Sequence, residues 1–344
     1  MSDGPWLPIT SARTLRACSE FPARADDVFI CSYPKSGTTW CQNLVARILT
    51  RSREDEPTPL DTWSHVSDVS PFFEIDPHWD HDAETSSLAA RVIENHRRFV
   101  RGRRVFNTHL PLSHMPRVVD EDGKKTRRLP KIVYVARDGR DCAVSFWHHL
   151  KSQSVEDGGW QGGWDAFFDA WIEGSIAFGS WFDHLESWRD APATRFFSRP
   201  GPAGGIPETA ATKEDENERA AAGDCQVLVI RYEDMKTDLR GVARAVANHV
   251  DPSRPLREHE LDAVVRECAF DAMKRDIGKY QPKSVRWIDA SFSFVRRGGV
   301  GSFEERFSNA QKMRFKEKAA AKFGAGGLRD APMWRQGDAR EASV

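Results

Sequence analysis

One lysine stands beside hydroxyl side chains and a glycine in residues 33–40, a stretch that could bind a small anion. The stretch follows the apolar run Val28–Cys31 and precedes an amphipathic run over residues 42–50. This order predicts a strand, a short loop and a helix, and the backbone N–H groups of such a loop converge on a phosphate or a sulfate. Lys35 would add a mobile positive charge. The pattern predicts an anion site, and a strand-to-helix turn with an incidental lysine is the alternative.

The lysine of this loop is placed differently from that of the Walker A loop. In G-x-x-x-x-G-K-[ST] the lysine follows the second glycine, whereas Lys35 precedes Gly37 and Trp40 follows the hydroxyl residues. The stretch therefore predicts an anion cradle that differs from the cradle of an ordinary ATPase.

A second stretch of the same order lies at residues 133–145. It predicts a strand, a polar turn and a helix, with Arg137 at the strand exit and Ser145 two turns into the helix. Asp138 or Asp141 is placed to cap that helix, and the fork of an arginine suits a phosphate. A surface Arg–Asp pair with a buried serine is the alternative.

A third basic stretch places Arg296 and Arg297 before Gly298 and two more glycines. A backbone with several glycines can fold closely over an anion. Flexible loops also contain such arginines and glycines, so this stretch by itself indicates little.

Short apolar runs alternate with longer segments of helical period. The runs are residues 28–31, 105–106, 132–136 and 227–230, and the helical segments include residues 83–100 and 164–188. This alternation predicts an α/β fold in which helices cover both faces of a central parallel sheet. Polar residues follow the runs, namely Lys35, Asn107-Thr108-His109, Arg137-Asp138 and Arg231-Tyr232. Because ligands of such sheets bind beyond the carboxyl ends of the strands, we expect one site there.

The composition is typical of a globular cytoplasmic protein. Of the 344 residues 40% are hydrophobic and 29% charged, and the formal net charge of −1 indicates no partner among nucleic acids or anionic membranes. Six scattered cysteines without metal-ligand spacing predict free thiols and no bound metal. No apolar run suggests a signal peptide or a membrane span, and an organelle address of another type is the alternative.

We expect one domain over residues 26–323, after an N-terminal segment of residues 1–25. Residues 190–224 contain several prolines and glycines and a run of charges, which predicts a mobile insertion for most of this segment. A docking element for a partner is the alternative. Residues 324–344 are rich in glycine and charge and predict an irregular tail.

The three basic stretches resemble the cofactor-binding motifs of the soluble, cytosolic sulfotransferases. Residues 107–111, 227–236 and 270–274 match further motifs of that family in the expected order, and the resemblance extends over about residues 26–323. It implies a P-loop-NTPase-like fold with three layers. It also implies transfer of a sulfonate group from 3′-phosphoadenosine 5′-phosphosulfate (PAPS) to a hydroxyl or amine of a small molecule, without a metal. The nucleotide product would be adenosine 3′,5′-bisphosphate (PAP).

The resemblance also implies roles for individual residues. The 5′-phosphosulfate would bind to Lys35, Ser36, Gly37, Thr38 and Thr39. The 3′-phosphate would bind to Arg137, Ser145, Arg296 and the backbone at Arg297-Gly298. The adenine side would be formed by Trp40, Tyr232, Phe270, Met273 and Cys268, the last in a position that usually holds threonine. The acceptor would meet Asn107, Thr108, His109, Phe72, Phe146 and His149.

His109 and Lys35 are the expected catalytic residues. A neutral imidazole can take the proton of an acceptor hydroxyl, and the lysine can neutralise charge on the leaving phosphate. Asn107 stands where animal members of the family commonly have lysine, and His149 stands where they often have an aromatic residue, which suggests a more polar acceptor. The alternatives are a P-loop-type kinase and a non-catalytic protein that binds PAPS or PAP.

The family's short dimerisation motif would fall near residues 304–313, where its key residues are replaced. We therefore expect a monomer or a dimer with a different interface.

Overall fold

The computed structural model describes residues 6–50, 63–82, 86–189, 191–197, 225–289, 292–295 and 298–330. The strands in these ranges are β1 Val28–Cys31, β2 Trp79–Asp80, β3 Ser87–Leu88, β4 Val105–Thr108, β5 Lys131–Ala136, β6 Thr194–Phe196 and β7 Val227–Arg231. Five of them form a parallel sheet in the order β4-β1-β5-β7-β6. The other two, β2 and β3, form a short antiparallel pair.

The central strands of this sheet are buried on both faces, which explains their continuous apolar sequence. Side chains alternate between the two faces along each strand. In β1, Phe29 belongs to one hydrophobic core and Ile30 to the other. The fold is therefore a three-layer α/β domain around a parallel sheet, as the sequence predicts.

Helices supply the outer layers of the domain. They are α1 Ala12–Glu20, α2 Thr38–Leu49, α3 Ala90–Val100, α4 Gly139–Lys151, α5 Trp164–Ile172, α6 Trp181–Ser187, α7 Tyr232–Thr237, α8 Leu239–Val250, α9 Glu258–Cys268, α10 Phe270–Arg275 and α11 Asn309–Phe323. The apolar side chains of α2, α8 and α9 form one core with the sheet. Those of α4, α5, α6 and α11 form the other, in which several tryptophan and phenylalanine rings are fully buried.

The segment at residues 164–188 contains two helices where the sequence predicts continuous helical period. Between α5 and α6, Gly174, Phe178 and Gly179 have φ of 74°, 70° and 69°. A left-handed residue commonly ends a helix, and here three of them turn the chain into α6. Phe178 is thereby turned toward the cavity described below.

Two short elements correct the expectations for the chain's less regular parts. Strand β6 lies inside residues 190–224, so the predicted insertion is wrong for Thr194–Phe196, which pair with β7. Three half-buried residues at a sheet edge are too few to show a strand pattern. The rest of that prediction, residues 198–224, lies outside the described residues. Within the predicted tail, Gly327–Asp330 form a short 3-10 helix, and residues 331–344 lie outside the described part.

None of the helices that the structure describes is both long and apolar enough to cross a membrane.

Candidate functional site

A cavity of about 710 Å³ lies beyond the carboxyl ends of the parallel strands. Residues that end or follow β1, β4, β5 and β7 line it, among them Lys35, His109, Arg137 and Tyr232. Because these strands are parallel neighbours, their polar exits meet at one edge of the sheet. The structure thus brings the separate motifs of the sequence into one cavity.

The Lys35 loop has an unusual backbone. Lys35 and Gly37 have positive φ values of 68° and 102°, one on each side of Ser36. A Cβ on Gly37 would lie 2.7 Å from Cδ2 of Tyr232, so both the φ and the space favour glycine. Gly37 is the N-cap of α2 and offers no side-chain cap to the first turn. The N–H groups at this helix start therefore have no capping side chain, and Gly37, Thr38 and Thr39 line the cavity, which suits an anion site.

The hydroxyl residues of this loop are divided between the cavity and the core. Thr38 and Thr39 line the cavity, and Oγ1 of Thr38 lies 2.6 Å from Oγ of Ser32. Ser36 is buried, and its Oγ lies 3.4 Å from Sγ of Cys142. The side chain of Ser36 thus departs from the sequence expectation, because the turn directs it toward α4.

Arg137 joins the two loops that flank the cavity. Its guanidinium lies 4.1 Å over the ring of Tyr232 and donates at 2.9 Å to the carbonyl oxygens of Lys35 and of Gly299. Its Nε is buried without a hydrogen-bond partner among the described residues. A buried donor of this kind is costly unless a ligand satisfies it. Arg137 and Ser145 both line the cavity, which fits a second anion subsite.

The structure resolves the roles of the two aspartates that follow Arg137. Asp138 caps α4 by accepting from the backbone N–H of Arg140 at 2.8 Å. Asp141 is fully buried and accepts from the backbone N–H groups of Gly301 and Phe303 and from the hydroxyl of Ser302. It thereby ties the glycine-rich loop to α4. Gly298 lines the cavity, whereas Arg296 and Arg297 lie outside the described residues.

Three aromatic residues and a methionine also line the cavity. Trp40, Tyr232, Phe270 and Met273 line the cavity, and the rings of Trp40 and Tyr232 meet edge to face at 5.7 Å. Gly298 has a φ of 59°, and a side chain there would collide with the ring of Phe270. Flat apolar walls in a cavity that also has polar loops can hold a nucleotide base.

Cys268 does not line the cavity, contrary to the sequence expectation. Its side chain is fully buried, and its Sγ lies 3.5 Å from Nδ2 of Asn43. As the last residue of α9 it faces the core between α9 and α2. It contributes to the site through its backbone, because its carbonyl accepts from Nε1 of Trp40 at 2.8 Å.

His109 is held so that one ring nitrogen can act as a base. Its Nδ1 lies 2.7 Å from the carbonyl oxygen of Ser32. Since that oxygen can only accept, Nδ1 carries the proton and Nε2 keeps its lone pair. The rings of Phe72 and Phe178 stand edge-on to the imidazole at 5.4 and 5.1 Å. Burial, opposed in part by the Ser32 contact and aided by the charge of Lys35, lowers the pKa of His109 to about 4.

The ammonium group of Lys35 lies against His149 and an aromatic ring. Its Nζ is 3.4 Å from Nδ1 of His149 and 4.0 Å above the ring of Phe294. Burial, with the nearby charge of Lys35 as a smaller cause, lowers the pKa of His149 well below its usual value. His149 is therefore neutral near pH 7 and can accept from the ammonium.

Of the other residues expected at the acceptor, three line the cavity and one is buried in the sheet. Asn107, Phe72 and Phe146 line the cavity. Thr108 is fully buried, and its Oγ1 accepts from the backbone N–H of Leu110 at 3.1 Å. Because side chains alternate along β4, Thr108 points away from the face that Asn107 presents, and it does not line the cavity.

Several cavity residues were not predicted. Leu7 and Ile9 line the cavity although they belong to the N-terminal segment, and Phe178 and Phe294 add aromatic surface. Glu74 was also missed; it is fully buried, and its Oε1 accepts from the backbone N–H of His109 at 2.6 Å. The only local signal for Glu74 is that it stands directly between the apolar residues Phe73 and Ile75.

Glu74 should make stability depend on pH. Burial raises its pKa to about 8, despite hydrogen bonds that act to lower it. Between about pH 4.5 and pH 8 the unfolded chain loses this proton while the folded protein keeps it, so wild-type stability falls as pH rises. Relative to wild type, Glu74→Gln should become more stable by about 1.4 kcal/mol per pH unit in this window, as measured by urea unfolding at pH 5, 6.5 and 8.

Glu260→Gln is the matched control. Burial acts to raise the pKa of this carboxyl, but hydrogen bonds from Arg257 outweigh it and the pKa is lowered. Glu260 is then ionised in both the folded and the unfolded state above about pH 5. The difference in free energy of unfolding between Glu260→Gln and wild type should therefore stay constant from about pH 5 to pH 8. If the difference in free energy of unfolding between Glu74→Gln and wild type is also constant with pH, Glu74 is not protonated in the folded protein.

Among the described residues, no group of three or more histidine, cysteine, aspartate and glutamate side chains could hold a metal ion.

Comparison with known proteins identifies relatives over most of the chain. A family model described as a sulfotransferase domain matches residues 25–196 and 218–327. Sulfotransferase 1C2 of Oryctolagus cuniculus is 30% identical over 308 residues, which cover 86% of this chain and 83% of the relative. The gap in the match, residues 197–217, falls inside the segment predicted as an insertion.

Solved structures show the same fold. Mouse sulfotransferase SULT7A1, complexed with PAP, superposes with a TM-score of 0.62 at 23% identity and covers 96% of this chain and 95% of its own. Retinol dehydratase, in a complex with retinol and PAP, superposes with a TM-score of 0.60 at 20% identity and covers 92% of this chain and 87% of its own.

Proposed function

The chain belongs to the sulfotransferase family, and from this premise we propose that it transfers a sulfonate group from PAPS to a hydroxyl or amine of a small-molecule acceptor. The main support for this proposal is that one cavity contains two polar loops and several aromatic rings. The Lys35 loop and the Arg137–Ser145 pair lie at two places in it, with the rings of Trp40, Tyr232 and Phe270 also on its wall. A nucleotide with phosphate groups on both its 3′ and 5′ sides would need these features.

The donor would be held by residues of both loops. Lys35 and the start of α2 would bind the 5′-phosphosulfate, which supplies the sulfonate group. Arg137 and Ser145 would bind the 3′-phosphate, and the buried Nε of Arg137 supports this assignment because it lacks a partner among the described residues. Arg296 and Arg297 are proposed for the same phosphate from the sequence motif alone.

The acceptor would be activated by His109. Its neutral imidazole presents Nε2 as a proton acceptor, because Nδ1 is committed to Ser32. Lys35 would neutralise the charge that grows on the oxygen between phosphate and sulfonate. Such transfers depend on positioning and charge stabilisation more than on covalent chemistry by the protein.

The acceptor itself would be a largely apolar molecule. Phe72, Phe146, Phe178 and Phe294 give this part of the cavity an aromatic surface, and His149 adds a polar group. Two solved structures of one relative support an alicyclic alcohol as one class to test, since retinol dehydratase binds retinol and androsterone in these complexes. From the sequence we also propose that the protein is a monomer or a dimer with a different interface, and that it is cytoplasmic.

Calorimetric titration with PAP, 5′-AMP and ATP tests the nucleotide proposal. PAP should bind at least about 100-fold more tightly than 5′-AMP, because 5′-AMP lacks the charged 3′-phosphate that Arg137 would bind. EDTA should leave PAP affinity unchanged. Tight ATP binding that requires Mg²⁺, together with weak PAP binding, would favour a P-loop-type kinase and contradict the proposal.

A further inference from the structure

The backbone of His109 is hydrogen-bonded by side chains on both sides. Its N–H donates to Oε1 of Glu74 at 2.6 Å, and its carbonyl oxygen lies 3.2 Å from Nε2 of His184. Because the carbonyl can only accept, His184 carries its proton on Nε2. Nδ1 of His184 then accepts from the hydroxyl of Tyr134, which lies 2.9 Å away.

These two bonds replace the next rungs of a strand ladder. Beside β4 the backbone N–H of Asn107 donates to Pro71 at 3.0 Å, and the N–H of Phe73 donates to Asn107 at 2.9 Å. In a parallel ladder, His109 would next donate to the carbonyl of Phe73. That carbonyl instead accepts from Nε1 of Trp79 at 2.7 Å. The Glu74 carboxyl takes over the N–H of His109 and ends the ladder at this residue.

Burying a carboxyl costs free energy, and the hydrogen bonds that Glu74 makes do not fully compensate, because its pKa is still raised to about 8. Glu74 is fully buried, and besides the N–H of His109 the hydroxyl of Thr108 hydrogen-bonds its carboxyl and helps to offset the effect of burial on its pKa. Desolvation of a carboxyl costs free energy even when hydrogen bonds repay part of it. Packing alone would favour an apolar residue, so the carboxyl is better explained by what it holds.

The result of these contacts is a single open position on His109. The backbone N–H, the carbonyl oxygen and Nδ1 are each hydrogen-bonded, to Glu74, His184 and Ser32. Among the described residues Nε2 is left without such a partner, and His109 lines the cavity. The ring therefore has little freedom to turn its basic nitrogen away from a ligand.

We propose that Glu74 is a positioning residue, which ends the ladder beside β4 and holds the main chain of His109 so that Nε2 faces the acceptor. This inference rests on the proposed function, in which His109 is the base. The essential feature of Glu74 is an oxygen that accepts from the N–H of His109. Glutamine keeps such an oxygen, whereas methionine has similar length and lacks it.

Glu74→Gln and Glu74→Met test the proposal in steady-state kinetics with PAPS and an acceptor. Glu74→Met should lower kcat by about 10–100-fold, since small displacements of catalytic groups cost rates of this size. PAP affinity should stay within about 3-fold of wild type, because Glu74 does not line the cavity. Glu74→Gln should keep kcat within about 3-fold of wild type.

Glu260→Met is the control for loss of a buried carboxyl. Oε2 of Glu260 accepts from the backbone N–H of Arg257 at 2.9 Å, a bond of the same kind outside the cavity. This variant should lose stability and keep its kcat. A folded Glu74→Met protein with normal kcat would overturn the proposal, as would a Glu74→Gln protein that loses as much as Glu74→Met.

NMR of the histidine ring nitrogens provides a readout that does not depend on turnover. In the resting wild-type protein His109 should be a single Nδ1–H tautomer with a slowly exchanging proton, and Glu74→Met should show faster exchange or mixed tautomers. Unchanged signals would overturn the positioning role. If these signals change as expected while wild-type protein forms no sulfonated product, the proposed function fails and the positioning of His109 stands.

Discussion

Replacement of His109 by alanine should reduce sulfonate transfer by about 10²–10⁴-fold, the usual contribution of a general base. The variant should bind PAP with nearly wild-type affinity, because the residues proposed for the nucleotide belong to other elements. Single-turnover product formation and calorimetric titration with PAP measure the two quantities separately.

His114→Ala is the control for this variant. His114 lies in the next turn of the chain and packs against Trp6, and it does not line the cavity. Its kcat should match that of wild type. Near-normal turnover in His109→Ala would remove the imidazole from the mechanism.

The pH dependence of kcat/KM for PAPS tests His109 in a second way. Since burial lowers the pKa of His109 to about 4, the imidazole is already neutral at pH 5. The value of kcat/KM for PAPS, which reports on the free enzyme, should therefore show no decline near pH 6.5 that belongs to this histidine. A decline near pH 6.5 in wild type that is absent in His109→Gln would contradict the assigned environment.

Loss of the Lys35 charge should lower kcat/KM for PAPS by about 10²–10³-fold, the effect typical of removing one preorganised donor from a developing negative charge. Lys35→Met is the most direct variant, because methionine has a similar length and meets the same backbone strain at a φ of 68°. Lys35→Arg should recover part of the rate. The measurement is initial velocity at limiting PAPS.

Lys318→Met is the control for removal of a lysine charge. Lys318 lies on α11 and pairs with Glu173 at the surface, and exposed pairs of this kind contribute little. Its kcat/KM should be unchanged. If Lys35→Met retains wild-type kcat/KM, the loop does not serve the transferring group.

The sequence predicts those parts of the site that depend on local order. Lys35, His109, Arg137 and Tyr232 each follow an apolar run, and parallel strands carry their exits to one edge of the sheet. The same local order also explains Gly37, since the turn into α2 needs a left-handed residue. These features require no knowledge of contacts between distant segments.

The parts that sequence reasoning missed depend on contacts between distant segments. Glu74 meets His109 only because residues 71–73 pair beside β4, and no spacing in the chain indicates that pairing. The N-terminal residues Leu7 and Ile9 likewise reach the cavity from outside the recognised domain. The orientation of Thr108 does not depend on such contacts, because the alternation of side chains along a strand by itself predicts that Thr108 faces away from Asn107.

Incubation of the protein with PAPS and a panel of phenols, alicyclic alcohols and amines is the most direct test of sulfonate transfer. EDTA is present throughout, and mass spectrometry detects the products. We expect an acceptor that gains one SO₃ group, with PAP formed in equal amount and no loss of rate caused by EDTA. Transfer that requires a divalent metal, or a product that carries a phosphoryl group from ATP, would contradict this expectation.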